Sequence, residues 1–307
     1  MKRLLKGEAC RPYRLRYNNQ MKKYKRQKGF VLILVLAMLA IAALLSAGIA
    51  RRSLDQSIIV AQKQTEMQRH WGEISCRQAI LNRAEILLRT AELREGVAAT
   101  TLQTTVKLGD QTFLLILSDE QAKLNLNTVF RNGDMLAVRQ VVFMNSATWQ
   151  LKLRPDSHAN KTNTYPLAFA SWGQVYDFST FANNPNKNYL QLTQLGGRIT
   201  CWGNGLLNVK RADNETLRTI CELVVPLQSA TKLLELCQEN PTWDLERLLK
   251  EVDVPDRERR AFRKILTDRS RCHSLWTITS NEHRSWVRLD IRTMESATGN
   301  DIETFYW

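Results

Sequence analysis

Asp119 and Glu120 are adjacent carboxylates, a pair whose residue types could serve as acid and base. Neighbouring residues of a strand or turn point apart, however, so a capped turn is the better reading of the pair. Six cysteines are present, at Cys10, Cys76, Cys201, Cys221, Cys237 and Cys272. None has Cys-x-x-Cys spacing, and His70, His158, His273 and His283 form no cluster, so no zinc centre is expected. The nucleophile elbow Gly-x-Ser-x-Gly, the Walker loop, His-Glu-x-x-His and the glycine-rich dinucleotide turn are all missing. The residues predict no enzyme.

What the chain does carry is an apolar run. From Gly29 to Ala50 there are 22 residues without a charge. As a helix the run is about 33 Å long, close to the thickness of a bilayer's hydrocarbon core. Residues 1–28 hold eleven Lys or Arg against the single acid Glu8, so most of the net charge of +14 lies ahead of the run. That asymmetry predicts a cytoplasmic N-terminus, with everything after Ala50 across the membrane. It speaks for orientation more than for nucleic acid. Five of the cysteines follow the run; in a periplasm they could form one or two bridges, with at least one thiol left over.

Three readings suit the run: a cleaved secretory signal, for which it is long; a plain single-pass anchor; and a third that rests on its boundary. Lys28-Gly29 followed by Phe30 resembles the leader of type IV prepilins and of type II secretion pseudopilins. The resemblance implies that prepilin peptidase cuts after Gly29, that Phe30 becomes the new N-terminus and is methylated, and that the apolar helix survives. Major pilins carry Glu at the fifth residue after the cut; here that residue is Leu34. An acid at bilayer depth needs a partner, which in such fibres is the amino terminus of the subunit assembled before. A subunit with nothing ahead of it can carry an apolar residue there, and the K-type minor pseudopilin typically does.

The rest of the chain predicts an α+β, pilin-like fold: a long N-terminal transmembrane helix packed on a small antiparallel sheet, with an inserted helical subdomain. Apolar residues recur at helical spacing to about Leu93, and no proline falls between Gly29 and Glu92. Residues 100–107 and 111–117 read as a hairpin around Leu108-Gly109-Asp110. Asp119-Glu120-Gln121-Ala122-Lys123-Leu124-Asn125-Leu126-Asn127 resembles the K-type Asp-Glu…Leu-Asn-Leu-Asn segment, with Ala122 where glycine is usual; Asn125 and Asn127 should bond local backbone. Helices are expected over 134–143 and 171–181, after an Asp213 or Asn214 cap, and over 229–238, 244–251 and 255–266. Asn208, Val209 and Ala212 match a second family segment, which Lys210 and Arg211 interrupt. Strands should close the chain at 274–281, 284–292 and 303–307.

The expected organisation is a basic leader over 1–29 and a long helix over 30–95 with its transmembrane half at 30–50. First strands follow over 96–127, a mostly helical insertion over 128–270 and closing strands over 271–307. The four short helices do not read as DNA-binding hairpins, because no glycine lies between Gly205 and Gly299 and their Arg and Lys are mixed with acids. The resemblance implies a subunit of the inner membrane at the tip of a periplasmic fibre. Its partners would be other minor pseudopilins and prepilin peptidase, and no nucleic acid. It also admits calcium, for which Asp119, Asp268, Asp290 and Glu295 could supply oxygens, although no ligand-loop spacing is present. A minor pilin of a type IV pilus or DNA-uptake system is the alternative within the class. Either Met1 or Met21 could be the start.

Overall fold

The computed structural model describes residues 17–146, 152–153, 169–177, 196–280, 285–296 and 299–306. The chain divides into two compact units, Met1–Met67 and Gln68–Trp307. In the first, the described residues are all helical and belong to α1, Tyr17–Ile80. Every residue from 30 to 67 is exposed. This is the one helix among the described residues long and apolar enough to cross a membrane. A continuous apolar surface of that length is not left in water; it calls for lipid or the apolar face of other helices.

In the second unit α1 ends in a 3-10 turn, Leu81–Arg83, and α2 follows over Ala84–Glu95. The helix expected over 30–95 is thus interrupted once. Arg292 Nη1 donates to the Leu81 carbonyl at 3.1 Å, taking up a backbone acceptor where the helical pattern tightens. Gly96, at φ 70°, ends α2 in the left-handed conformation that favours glycine.

The strands and helices after α2 follow in chain order. β1 is Thr101–Leu108 and β2 is Gln111–Asp119, joined by a tight turn at Gly109 (φ 60°). After a 3-10 turn over Glu120–Ala122 come β3 (Leu124–Asn125), α3 (Leu126–Ser146), β4 (Lys152–Leu153), β5 (Tyr176–Asp177), β6 (Ile199–Thr200) and β7 (Leu207–Asn208). Helices α4 (Asn214–Glu222), α5 (Leu227–Glu239), α6 (Leu245–Glu251) and α7 (Asp256–Arg263) lead to β8 (Leu266–Thr267). The chain closes with β9 (Cys272–Ser280), β10 (Ser285–Ser296) and β11 (Gly299–Tyr306).

β1, β2, β9, β10 and β11 form one antiparallel sheet in that order. Its centre is therefore discontinuous in sequence: β2 pairs with β9, Asp119 lying opposite His273, and everything between them is inserted at that seam. The α+β architecture expected from the sequence is present. One face of the sheet, through Phe113, Leu115, Leu117 and Leu275, packs on Cys76, Leu81, Ala84 and Leu88. The opposite face, through Trp276, Ile278, Val287, Leu289 and Ile291, is the floor of a larger core. Its walls are Leu217, Ile220, Leu233, Leu248 and Phe262 of the helices, with Trp172 stacked on Trp276 at 5.6 Å.

Two expectations need correcting. Residues 171–177 hold no α-helix: one short 3-10 turn, Trp172–Gln174, runs into β5, whose Tyr176 is buried, and 178–181 lie outside the described residues. Trp172, Val175 and Tyr176 are buried in the core, and the backbone becomes extended at Tyr176–Asp177 because β5 pairs with β4, Tyr176 opposite Leu153. The expected bridges are also not formed. Cys76, Cys201, Cys221, Cys237 and Cys272 are free thiols, four of them buried, and they pack as small apolar residues. Burial pushes the Cys237 thiol up to about 11 and, with smaller contributions from Cys237 and Glu222, Cys221 to about 12. α3, meanwhile, kinks at Asp134 (φ 65°) just after Asn132-Gly133, and the Asp134 carboxylate accepts the Leu136 amide at 2.6 Å, recapping the second half.

Gly72 sets the approach of α1 to the sheet within this unit. A Cβ there would lie 2.3 Å from Cζ of Phe113, whose ring is fully buried. Gly→Ala inside a helix ordinarily gains up to about 1 kcal/mol. Gly72→Ala is expected instead to lose about 1–3 kcal/mol by overpacking. Combining it with Phe113→Leu should return most of the loss. Denaturant unfolding of the full chain in micelles, followed by tryptophan fluorescence, measures both.

Candidate functional site

The residues singled out in sequence occupy two places. Gly29, Phe30 and Leu34 lie in unbroken helix, with Phe30 and Leu34 exposed one turn apart. The 119–127 segment is instead wholly buried and forms a polar junction at the seam between β2 and β9.

Asp119 ends β2. Its Oδ1 accepts the Gln121 amide at 2.9 Å and so caps the turn, as expected. Its Oδ2 accepts from Arg211 Nη1 at 3.1 Å, Asn208 Nδ2 at 3.5 Å and the Ser270 hydroxyl. Glu120 points elsewhere: its Oε1 accepts from Lys123 and from the Ser274 hydroxyl on β9. The two carboxylates are thus divided between separate partners and do not form an acid–base pair. Gln121 accepts the Arg271 amide and donates to Asn204 Oδ1 at 2.7 Å. Among the described residues with a side chain only Asp134 has a positive φ, so the turn at Ala122 needs no glycine.

The two asparagines reach further than local backbone. Asn125 Oδ1 accepts the amides of Asn127 and Thr128 at 2.9 and 3.2 Å, capping α3, while its Nδ2 donates to the Trp202 carbonyl at 2.8 Å. Asn127 accepts the Phe169 amide at 2.8 Å and donates to the carbonyls of Phe169 and Cys201 at 3.0 and 2.7 Å. The alternation of Leu and Asn therefore stitches three distant backbone segments together, and Leu124 and Leu126 go to the core.

Arg211 is the centre of the junction and is only 6% exposed. Its guanidinium meets Glu92 at 2.5 Å and Glu85 at 2.7 and 3.0 Å, both on α2, besides Asp119. Burial works against its charge, but the bonds to Glu92 and Glu85 and the Asp119 charge outweigh it and raise the pKa. His273 Nε2 lies 3.2 Å from Glu85. That hydrogen bond, joined by Arg211, holds Glu85 at about 2 against burial. Arg211 had read as a mismatch to the family segment, and Glu85, Glu92, Ser270 and His273 carried no motif. The available signal was Glu85 and Glu92 two turns apart on one helix face.

A second charged cluster lies on the helix side of β10. Arg288 forks onto Asp290 at 2.7 and 2.8 Å, Thr304 donates to Asp290 at 2.7 Å, and Arg77 and Glu73 of α1 approach Asp290 and Arg288 at 3.7 and 3.6 Å. Arg69 pairs with Glu73 at 2.5 Å and lies over the Trp286 ring at 4.9 Å. The possible calcium oxygens are therefore dispersed. Asp119 and Asp290 are engaged by arginines in different clusters, Asp268 belongs to neither, and the Glu295 side chain lies outside the described residues. Among the described residues no three His, Cys, Asp or Glu gather as a metal set.

No family model and no curated protein matches the chain. Among solved structures it is similar to a chain in the crystal structure of the GspK-GspI-GspJ complex from the enterotoxigenic Escherichia coli type 2 secretion system. Identity is 14% and the TM-score 0.41, over 80% of this chain and 99% of that one.

Arg211→Met should cost about 3 kcal/mol or more, because it leaves the buried Asp119 carboxylate without its cation. Arg211→Lys should recover little, lacking the planar fork; urea unfolding in micelles checks both. Glu85 adds a pH signature. Its folded pKa lies below the unfolded one, so its stabilisation is present above about pH 4.5 and is lost as pH falls towards about 2. Melting temperature should fall through that window, less steeply in Glu85→Gln.

Proposed function

We propose that this chain is a minor pseudopilin of type II protein secretion, of the K type. In this reading it is a single-pass protein of the inner membrane, N-terminus cytoplasmic and the 68–307 unit periplasmic. Prepilin peptidase removes the leader after Gly29 and methylates Phe30. The apolar helix then packs with those of other minor pseudopilins at the tip of a fibre, starting or capping it.

One observation carries the reading. The apolar stretch of α1 is fully exposed, yet it belongs to a helix that continues into a folded α+β unit. A removable signal would not be built into the fold in that way, whereas a retained fibre helix would. Lys28-Gly29 before Phe30 supports processing at that bond, and the apolar Leu34 supports a position with no subunit ahead of it. The Asp119–Asn127 segment, which resembles the K-type pattern, supports the assignment because it sits at the seam where the insertion leaves the sheet.

Mass spectrometry of the protein from cells containing prepilin peptidase is expected to find N-methylated Phe30 as the first residue. A retained Met1 or Met21 would make it a plain single-pass anchor. Gly29→Ala should leave the unprocessed form in the membrane. Leu34→Glu should impair secretion, since the acid would be unpaired at bilayer depth. Undisturbed secretion by that variant would contradict the tip position. Deletion should abolish secretion of enzymes and spare twitching and DNA uptake; the opposite pattern would favour a type IV minor pilin.

A further inference from the structure

Lys22, Lys23, Lys25, Arg26 and Lys28 fall within seven consecutive residues, directly ahead of the apolar run. The sequence holds no Asp or Glu between Glu8 and Asp55. None of the five therefore has an acid three or four positions away, the spacing at which charges pair along one helix. Residues 1–28 as a whole, with eleven Lys or Arg against one acid, supply +10 of the net +14.

The backbone fixes where these charges lie along the helix axis. α1 runs unbroken from Tyr17 to Ile80, so segment 22–28 continues the axis of the exposed apolar stretch that follows it. The rise from Lys22 to Gly29 is about 10 Å. The headgroup zone on each side of a hydrocarbon core is about 5–8 Å deep, and a charge is felt over about 8 Å at physiological salt. With the run from Gly29 to Ala50 in lipid, a helix rather than a loose tether keeps all five basic positions within reach of the headgroups. At helical spacing the five positions spread over well more than half of the circumference, and the remaining sector holds Tyr24 and Gln27. A partner lying along one side would call for a single stripe, whereas headgroups surround a helix. Tyrosine is itself enriched at this depth.

We propose that segment 22–28 binds anionic phospholipid headgroups. Their phosphates bring the negative charge that the neighbouring sequence lacks, and juxtamembrane clusters of four or more Lys and Arg are attracted to such lipids. The other end of the run has a weaker claim: Arg51 and Arg52 are only two, and Asp55 follows one turn on. The identity of the leaflet rests on the pseudopilin reading, under which it is the cytoplasmic one. There the lipids hold the precursor until a cut after Gly29 takes all five charges away.

The test uses the unprocessed full chain reconstituted in phosphatidylcholine vesicles with a trace of spin-labelled phosphatidylglycerol or spin-labelled phosphatidylcholine. Electron spin resonance reads the share of each label held at the protein. Phosphatidylglycerol should be preferred about threefold or more at low salt, and the preference should shrink as salt rises. Replacing Lys22, Lys23, Lys25, Arg26 and Lys28 by Gln should remove most of it. Replacing Lys2, Arg3, Lys6, Arg11, Arg14 and Arg16 by Gln, farther from the run, should leave most of it. Both variants should stay in the vesicles through alkaline washing with unchanged tryptophan fluorescence, since all eight tryptophans lie at 71 or beyond. No preference in the parent, a preference indifferent to salt, one that survives the five replacements, or equal loss in the two variants would overturn the proposal. No peptidase enters the measurement, so its failure would leave the processing reading standing, and a retained Met1 would leave lipid binding standing.

Discussion

The buried guanidinium of Arg211 is the constraint on which the 68–307 unit depends. It draws together two carboxylates of α2, one at the end of β2 and, through the Asp119 oxygens, Ser270 and Asn208. Desolvating such a cluster is costly, and an apolar replacement could in principle be as stable. What the charges add is geometry. A planar fork facing three carboxylates accepts one arrangement of its partners, where an apolar contact would tolerate sliding. The seam between β2 and β9 needs that selectivity, because the chain leaves the sheet at Asp119 and returns only at Cys272.

The sheet itself separates two kinds of packing. On one face, small residues let α1 come close, Gly72 against Phe113, and a ladder of Arg69, Glu73 and Arg77 on α1 meets Trp286, Arg288 and Asp290 on β10. On the other, tryptophans and the helices of the insertion make the larger apolar core. The division follows from strand alternation: Val287, Leu289 and Ile291 point one way, Trp286, Arg288 and Asp290 the other. Arg89, Lys210, Arg269 and Arg271, by contrast, are exposed at the surface beside the junction.

Much of this was legible in the residues. The Gly109 turn, the Asp213 and Asp244 caps, Pro255 ahead of its helix and the alternating last strands carry local signals, and each appears where its chemistry puts it. The pairing of Asp119 with Arg211, 92 residues apart, has no local signature, and neither has His273 against Glu85. Segment 171–177 was misread because Trp172, Val175 and Tyr176 suit a helix face as well as a turn and bridge strand filling a core. Asn125 and Asn127 were placed correctly as backbone binders, but only Asn125 binds locally; the partners of Asn127 are settled by tertiary contact.

Hydrogen exchange of the full chain in micelles, comparing the parent with Arg211→Met, tests the junction most directly. If Arg211 fastens α2 and the insertion to the seam, amides of α2 and of residues 200–211 lose protection together, while β9 and β10 keep theirs. Loss confined to residues next to Arg211, with α2 still protected, would contradict that role.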